Sequence, residues 1–251
     1  MFSIKAILKP DYERYEGVGR ITGILLLVHL AGGLMLPYIL MQPVIAAPGF
    51  LENAAANAVR IRAAVLLLFM SGAITVAVAL TALPVFRRYG DRLAVLLVVL
   101  SAVNLALHAV ENGTLLSMLS LSQEYAERGG ADASLFHGLG AVVGSARRWA
   151  HLMHLLVVGG WIFTLFTVLW RSTLVPRPLA GLGMLATVLQ VTGVPLRAVL
   201  GLEVVTLMAM PLAPIYVAVA AWLMFKGFEE RQPSIAEGPP AATGGITRDW
   251  S

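Results

Sequence analysis

Two apolar stretches of the sequence carry histidines and a glutamate at helical spacings. His108 and Glu111 are three residues apart, and Asn104 lies about one turn before them. Residues three, four and seven apart share a helix face, so these side chains form one polar stripe. His151 and His154, also three residues apart, share a face of the next apolar segment. Imidazole and carboxylate groups on facing helices bind metals in helical bundles, and they also transfer protons.

The histidines of both stretches are expected at a similar depth in a bilayer. A helix rises about 1.5 Å per residue, which places His108 about 24 Å above Arg92, the predicted cytoplasmic edge. On the same scale, His154 and His151 lie at about 21 and 25 Å in a hydrocarbon core of about 30 Å. Together with Glu203, at the same outer end, they predict a polar pocket between the third, fourth and sixth spans. Its candidate members are Asn104, His108, Glu111, His151, His154 and Glu203.

Several kinds of chemistry fit this pocket. A metal site would use His108, Glu111, His151 and His154, although the paired Glu-x-x-His motifs of di-metal bundles are absent. A haem would need one histidine from each of the two helices. A proton or substrate relay in a transporter or channel subunit is a further alternative, and so is the acid–base pair of a membrane enzyme or a redox carrier. The favoured interpretation is structural, with hydrogen bonds among these side chains holding the helices in register. His29, about 14 Å above Arg20, is expected to be an isolated, hydrogen-bonded histidine.

The composition excludes several classes of protein. Only 13% of the 251 residues are charged and 58% are hydrophobic, whereas soluble domains carry about 25% charged residues. The absence of cysteine excludes disulfides, thiolate metal sites and thioether-linked haem. No P-loop, G-x-S-x-G elbow or His-Glu-x-x-His helix is present. The basic residues lie at the ends of apolar runs, which indicates membrane topology and excludes nucleic acid as a partner.

Charged residues divide the chain into six apolar windows, each long enough to cross a bilayer. The sequence therefore predicts an all-α integral membrane protein, a bundle of six transmembrane helices within residues 20–228. The predicted spans cover about 20–42, 63–86, 93–121, 149–170, 178–195 and 203–225. With both termini inside, 12 of the 18 Lys and Arg residues fall on the cytoplasmic side, as the positive-inside rule requires.

The segments outside the spans complete the predicted organisation. Residues 1–19 are expected in the cytoplasm, where they can lie along the interface as a short amphipathic helix. Residues 123–145 are expected to form the longest loop. The tail, 229–251, is rich in Pro, Gly and charge, which predicts cytoplasmic disorder. Pro211 and Pro214 are expected to interrupt the sixth span.

Three segments resemble a bacterial family of uncharacterised multi-pass membrane proteins, the domain of unknown function four-three-eight-six. They are RITGILLLVHLAGGL in the first span, WRSTLVPRPLAGLGMLATV between the fourth and fifth, and AAWLMFKGF in the last. The resemblance implies a similar number of spans and a location in the bacterial cytoplasmic membrane. It implies no catalytic residues. The polar third span departs from the family's usual pattern.

Overall fold

The computed structural model describes residues 11–35, 39–129 and 132–228, and the regular structure in these ranges is entirely helical. The predicted all-α class is therefore confirmed. The helices are α1 (Asp11–Met35), α2 (Gln42–Ile45), α3 (Phe50–Asn53), α4 (Ala58–Phe86), α5 (Asp91–Glu127), α6 (Ala133–Ser172), α7 (Arg177–Leu200), α8 (Val205–Ala209) and α9 (Leu212–Lys226).

Five helical segments of the described chain are long and apolar enough to cross a membrane. They are α4, α5, α6, α7, and α8 together with α9. Large hydrophobic side chains on their outer surfaces, including Leu66, Val99 and Phe225, are exposed. Exposed apolar surface of this extent fits contact with lipid. The helix α1, which corresponds to the predicted first span, is not among the five. Five of its first ten residues, through Arg20, are charged.

The two central helices are much longer than the predicted spans. α5 has 37 residues and α6 has 40, so they measure about 55 and 60 Å and extend well beyond a core of about 30 Å. Most of the loop predicted over residues 123–145 is helical, and that prediction was wrong. Polar and glycine residues only weaken a helix, and here the two helices pack against each other along their length.

The first helix also begins earlier than predicted. α1 starts at Asp11, so residues 11–19 form one continuous helix with residues 20–35 and not a separate short helix. Tyr15, which is buried, accepts a hydrogen bond from Arg88 and packs under its guanidinium group, 4.3 Å from the ring centroid. This contact places Tyr15 level with the end of α4. The predictions for residues 1–10 and for the tail 229–251 lie outside the described residues.

The last two spans differ from the prediction in their ends. α7 continues to Leu200, with Pro195 accommodated inside the helix. The expected interruption of the sixth span is present at Met210 and Pro211, between α8 and α9. Pro214 lies within the first turn of α9, where the missing N–H has no intrahelical partner to lose.

The helices pack around an apolar core at the end of the bundle where Tyr15 lies. α4, α5 and α6 pack side by side, α1 lies against both α4 and α9, and α6 packs on α7. Phe86, Phe166 and Phe228 are almost fully buried in this core. Gly159 allows α7 to approach α6 closely, because a Cβ there would lie 2.3 Å from Val191. The core closes this end of the bundle, and polar residues gather above it.

Candidate functional site

One face of α5 carries the polar stripe predicted from the sequence. Ser101, Asn104, His108, Glu111 and Asn112 are all buried, with at most 5% of each residue exposed. Apolar residues at the same spacing, such as Leu97 and Leu115, continue the stripe above and below. The 3.6-residue period of the helix therefore aims every polar side chain of α5's core face at the neighbouring helices.

Glu111 joins the two histidines of α6. Its Oε1 lies 3.0 Å from His151 Nδ1, and its Oε2 lies 3.1 Å from His154 Nδ1. Both carboxylate oxygens are thus engaged, and a buried carboxylate needs such partners to remain charged. His154 is buried, whereas the side chain of His151 is 47% exposed. His151 therefore connects the buried pair with the surface.

The other nitrogen of His154 is held by an amide. Asn104 Nδ2 donates to Thr75 Oγ1 at 3.2 Å, and Thr75 in turn donates to the carbonyl of Gly72 at 2.7 Å. This chain turns Asn104 Oδ1 toward His154 Nε2, 2.9 Å away. A carbonyl oxygen only accepts, so Nε2 carries the hydrogen. The Nδ1 atom of His154 is consequently the one that faces Glu111, either as a donor or with its lone pair free for a cation.

His108 completes a compact group of donor atoms. Ligand atoms of His108, Glu111 and His154 lie within 4.8 Å of one another, and all three residues are buried. A Cβ on Gly72 would lie 2.6 Å from Cδ2 of His108, so only glycine at this position lets α4 pack closely against the His108 ring. His108 Nδ1 is buried and, within the described part of the chain, has no hydrogen-bond partner.

The donor set fits a small metal ion better than haem. Tetrahedral zinc with bonds of about 2.1 Å separates its ligand atoms by about 3.4 Å, close to the 3.1 Å between Glu111 Oε2 and His154 Nδ1. The rings of His108 and His154 pack edge to face with centroids 4.1 Å apart. A porphyrin plane does not fit between these two rings, so His108 and His154 do not form a haem-ligand pair in this arrangement.

A cavity of about 420 Å³ adjoins the cluster. Besides α5 and α6, its walls include residues of α1, α2, α4, α7, α8 and α9, so it is more central than the predicted pocket between three spans. Four members of the predicted pocket line it, namely His108, Glu111, His151 and His154. Asn104 lies behind His154 and orients it.

His29 joins this site, contrary to the prediction that it is isolated. Its Nδ1 lies 3.0 Å from Ser71 Oγ, and its ring packs against Trp161 and Tyr216 at centroid distances of 5.7 and 6.2 Å. The predicted depth used Arg20 as the cytoplasmic edge. That depth set His29 below the other histidines, whereas in the structure it lines the same cavity as His108 and His154.

Glu203 is the predicted member that the structure places elsewhere. It lies between α7 and α8, pairs with Arg197 at 3.0 Å, and its side chain is 73% exposed. It does not line the cavity. Its position in the sequence, next to the last loop, did not indicate the direction of its side chain.

Several other cavity residues were hard to recognise from the sequence. Gln190 and Tyr216 lie in apolar segments, and Arg147 lies just before the predicted fourth span, 149–170. The only available signal was their rarity, because a polar side chain inside a span usually faces the bundle interior. Arg147 is two turns before His154 on the same face of α6, a relation that becomes visible once the helix is known to continue upstream.

Comparison with known proteins places the chain in one family. The family model described as Domain of unknown function (DUF4386) matches residues 21–227, most of the chain. The chain therefore belongs to this family, as the three resembling segments indicated. No curated protein and no solved structure matches it significantly.

Proposed function

We propose that this chain is a six-span protein that binds a divalent transition-metal ion near the outer face of the bacterial cytoplasmic membrane. The ligands are His108, Glu111 and His154, and the half-exposed His151 is the route by which the ion enters. The observation that carries the proposal is the approach of these three buried side chains to within 4.8 Å of one another.

The arrangement around the three residues supports a metal in particular. Metal-binding histidines nearly always donate their second ring N–H to a fixed acceptor, which sets the tautomer. Asn104 does this for His154, and Thr75 fixes Asn104. The ring of His108 packs against His154, and its buried Nδ1 has no hydrogen-bond partner among the described residues. Two imidazoles and one carboxylate suit zinc or ferrous iron, and they leave a coordination position open. With that position, a bound ion would supply a Lewis acid or an activated water.

Metal content of the purified full chain tests this proposal. After incubation with zinc and removal of free ions, the wild type is expected to retain about one equivalent. His108→Ala and Glu111→Gln are expected to retain at most about a tenth as much. His137→Ala is the matched control, since His137 lies outside the cluster near Glu52 and is 56% exposed. Zinc is also expected to raise the melting temperature of the wild type and of His137→Ala only.

The outcomes separate folding from binding. Melting temperatures measured in chelator show whether a variant is folded before its metal content is interpreted. Folded His108→Ala or Glu111→Gln that keeps a full equivalent overturns the proposed ligand set. A wild type that retains neither zinc, iron nor manganese overturns the metal function.

A buried proton relay is the second candidate, and one observation favours it. Both oxygens of Glu111 are joined to histidines, one of which is 47% exposed, so protons can pass from the surface to the buried carboxylate. In a metal-free sample, an infrared carboxylic-acid band that changes with external pH and is absent in Glu111→Gln would favour this candidate. A transport path through the membrane has less support, because the core beneath the cavity is apolar.

The proposed topology puts both termini in the cytoplasm. It adds α1, as the first span, to the five candidate spans and so reaches six. α1 packs between α4 and α9, which both belong to apolar spans, and no charged residue follows Arg20 in it. Tyr15 meets Arg88 at the end where Lys226 and other basic residues lie. A reporter fused after Phe228 is expected to be active only in its cytoplasmic form. Activity of a periplasmic reporter at that position would overturn the orientation.

A further inference from the structure

The cavity has polar atoms that the proposed metal site does not use. Nε of Arg147, Oε1 of Gln190 and the hydroxyl of Tyr216 are buried, and none has a hydrogen-bond partner in the described ranges. Gln190 is 7% and Tyr216 3% exposed, and all three residues line the cavity. Buried polar groups are nearly always paired. Three unpaired groups around one cavity therefore indicate a ligand that carries their partners.

These groups lie at opposite ends of an elongated space. One face of α6 lines the cavity from Arg147 to Ile162, a rise of about 22 Å over 15 residues. Tyr216 packs against Phe166, one turn beyond Ile162, and so lies at the inner end. Arg147 lies at the outer end. Arginine and tyrosine side chains are long, so the distance between their polar groups can be shorter than the helical rise.

The wall between the two ends is mainly apolar. Leu30 of α1, Leu155 and Val158 of α6, and Leu212 and Ala213 of α9 line it. A cavity with mostly apolar walls and a few convergent polar groups is typical of small-molecule sites, and about 420 Å³ is within their usual size. The polar cluster of His108, Glu111 and His154 occupies only one side.

The charge of the lining favours an anion at the outer end. Glu111 is the single acidic residue lining the cavity in the described chain, and its two oxygens are engaged by His151 and His154. Arg147 has no acidic partner among the described residues. A guanidinium group in this setting is a suitable partner for a carboxylate or phosphate oxygen.

We propose that the cavity binds an elongated molecule with an anionic group at one end, a hydroxyl or carbonyl group at the other, and an apolar chain between them. The anionic group pairs with Arg147. The neutral group exchanges hydrogen bonds with Tyr216 and Gln190, which together offer a donor and an acceptor. The chain lies along Val158 and Leu212. This site goes beyond the proposed metal function, because none of these contacts requires the ion.

Three probes of equal chain length test the two ends separately. They are 10-hydroxydecanoate, decanoate and decane-1,10-diol, titrated calorimetrically into the full chain in lipid nanodiscs, with empty nanodiscs subtracted. The wild type is expected to bind 10-hydroxydecanoate about threefold to tenfold more tightly than either of the other probes, because each lacks one polar contact. Longer ω-hydroxy carboxylates and a lysophosphatidic acid distinguish a free carboxylate ligand from a membrane-derived phosphate.

Paired variants assign each contact. Tyr216→Phe is expected to abolish the preference over decanoate, and Arg147→Gln the preference over the diol. The matched controls are Arg148→Gln, an exposed neighbour that does not line the cavity, and Tyr125→Phe outside it. Both controls are expected to keep the wild-type preferences.

The remaining outcomes decide against the site. Equal binding of all probes by wild type, Arg147→Gln and Tyr216→Phe, or no binding above the nanodisc background, overturns the proposal. Repeating the titrations in chelator separates the two proposals. Probe preferences that persist in chelator show that this site does not need the ion. A protein that retains no metal after incubation with zinc, iron or manganese but keeps the preferences rejects only the metal function, and a metal-loaded protein without preferences rejects only this site.

Discussion

Replacing Asn104 by alanine tests whether the orientation of His154 matters for metal binding, without changing any of the proposed metal ligands. The Asn104 amide oxygen accepts a hydrogen bond from His154 Nε2 at 2.9 Å, and its nitrogen donates one to Thr75 Oγ1 at 3.2 Å. Asn104→Ala leaves a buried N–H without an acceptor, which costs about 1–3 kcal/mol. About 1.4 kcal/mol corresponds to a factor of ten. The dissociation constant for zinc is therefore expected to rise about 10–100-fold, as for other outer partners of histidine ligands.

Asn112→Ala is the matched control for this change. Asn112 is a buried amide two turns further along the same helix. It donates a hydrogen bond to the carbonyl of Val65, 3.1 Å away, and it has no hydrogen bond to a histidine among the described residues. It is expected to lower the melting temperature without changing zinc affinity. Asn104→Asp keeps an acceptor for His154 and is expected to bind zinc within about threefold of the wild type.

Competition with a chromogenic chelator measures the affinity, and melting in chelator measures stability without metal. Equal weakening of zinc binding by Asn104→Ala and Asn112→Ala would show that any buried amide matters, which refutes a specific orienting role. Unchanged affinity in Asn104→Ala would refute it as well, and so would a failure of Asn104→Asp to restore binding.

Two further changes probe the surroundings of the cluster. Gly72→Ala is expected to lower both the melting temperature and zinc retention, because the new methyl would lie 2.6 Å from His108. Gly113→Ala is the control, since a Cβ there has open space around it. It is expected to leave zinc retention unchanged and the melting temperature unchanged or slightly raised. Glu203→Gln removes an exposed ion pair with Arg197, so thermal melting is expected to report a loss below about 1 kcal/mol and metal analysis an unchanged zinc content. A loss of zinc in Glu203→Gln would show that Glu203 belongs to the metal site after all.

The polar stripe of α5 was predictable because it depends only on the helical period. Asn104, His108 and Glu111 had to share a face once the segment was helical, and equal depth brought His151 and His154 to the same level. Which atoms meet was not predictable. The pairing of Asn104 with His154 depends on the rotation of α6 about its axis, which the sequence of α6 does not specify by itself.

The errors have a common physical origin. Charged residues were taken as the ends of helices, whereas they only show where a helix leaves the apolar layer. α1 continues below Arg20, and α6 begins well before Arg147. Using Arg20 as an edge placed His29 too low, and ending the fourth span at Arg148 separated Arg147 from the face that carries His154. The family membership was predictable because it depends on local segments.

The unusual length of α5 and α6 carries both helices well beyond the polar cluster. Near Arg128 they contact each other again, where the rings of Tyr125 and Phe136 lie 5.6 Å apart and the Arg128 guanidinium lies over Phe136. Glu111 belongs to one helix and His154 to the other. The relative position of the two helices, which sets the distance between Glu111 and His154, is therefore held in part by contacts about 20 Å further along them.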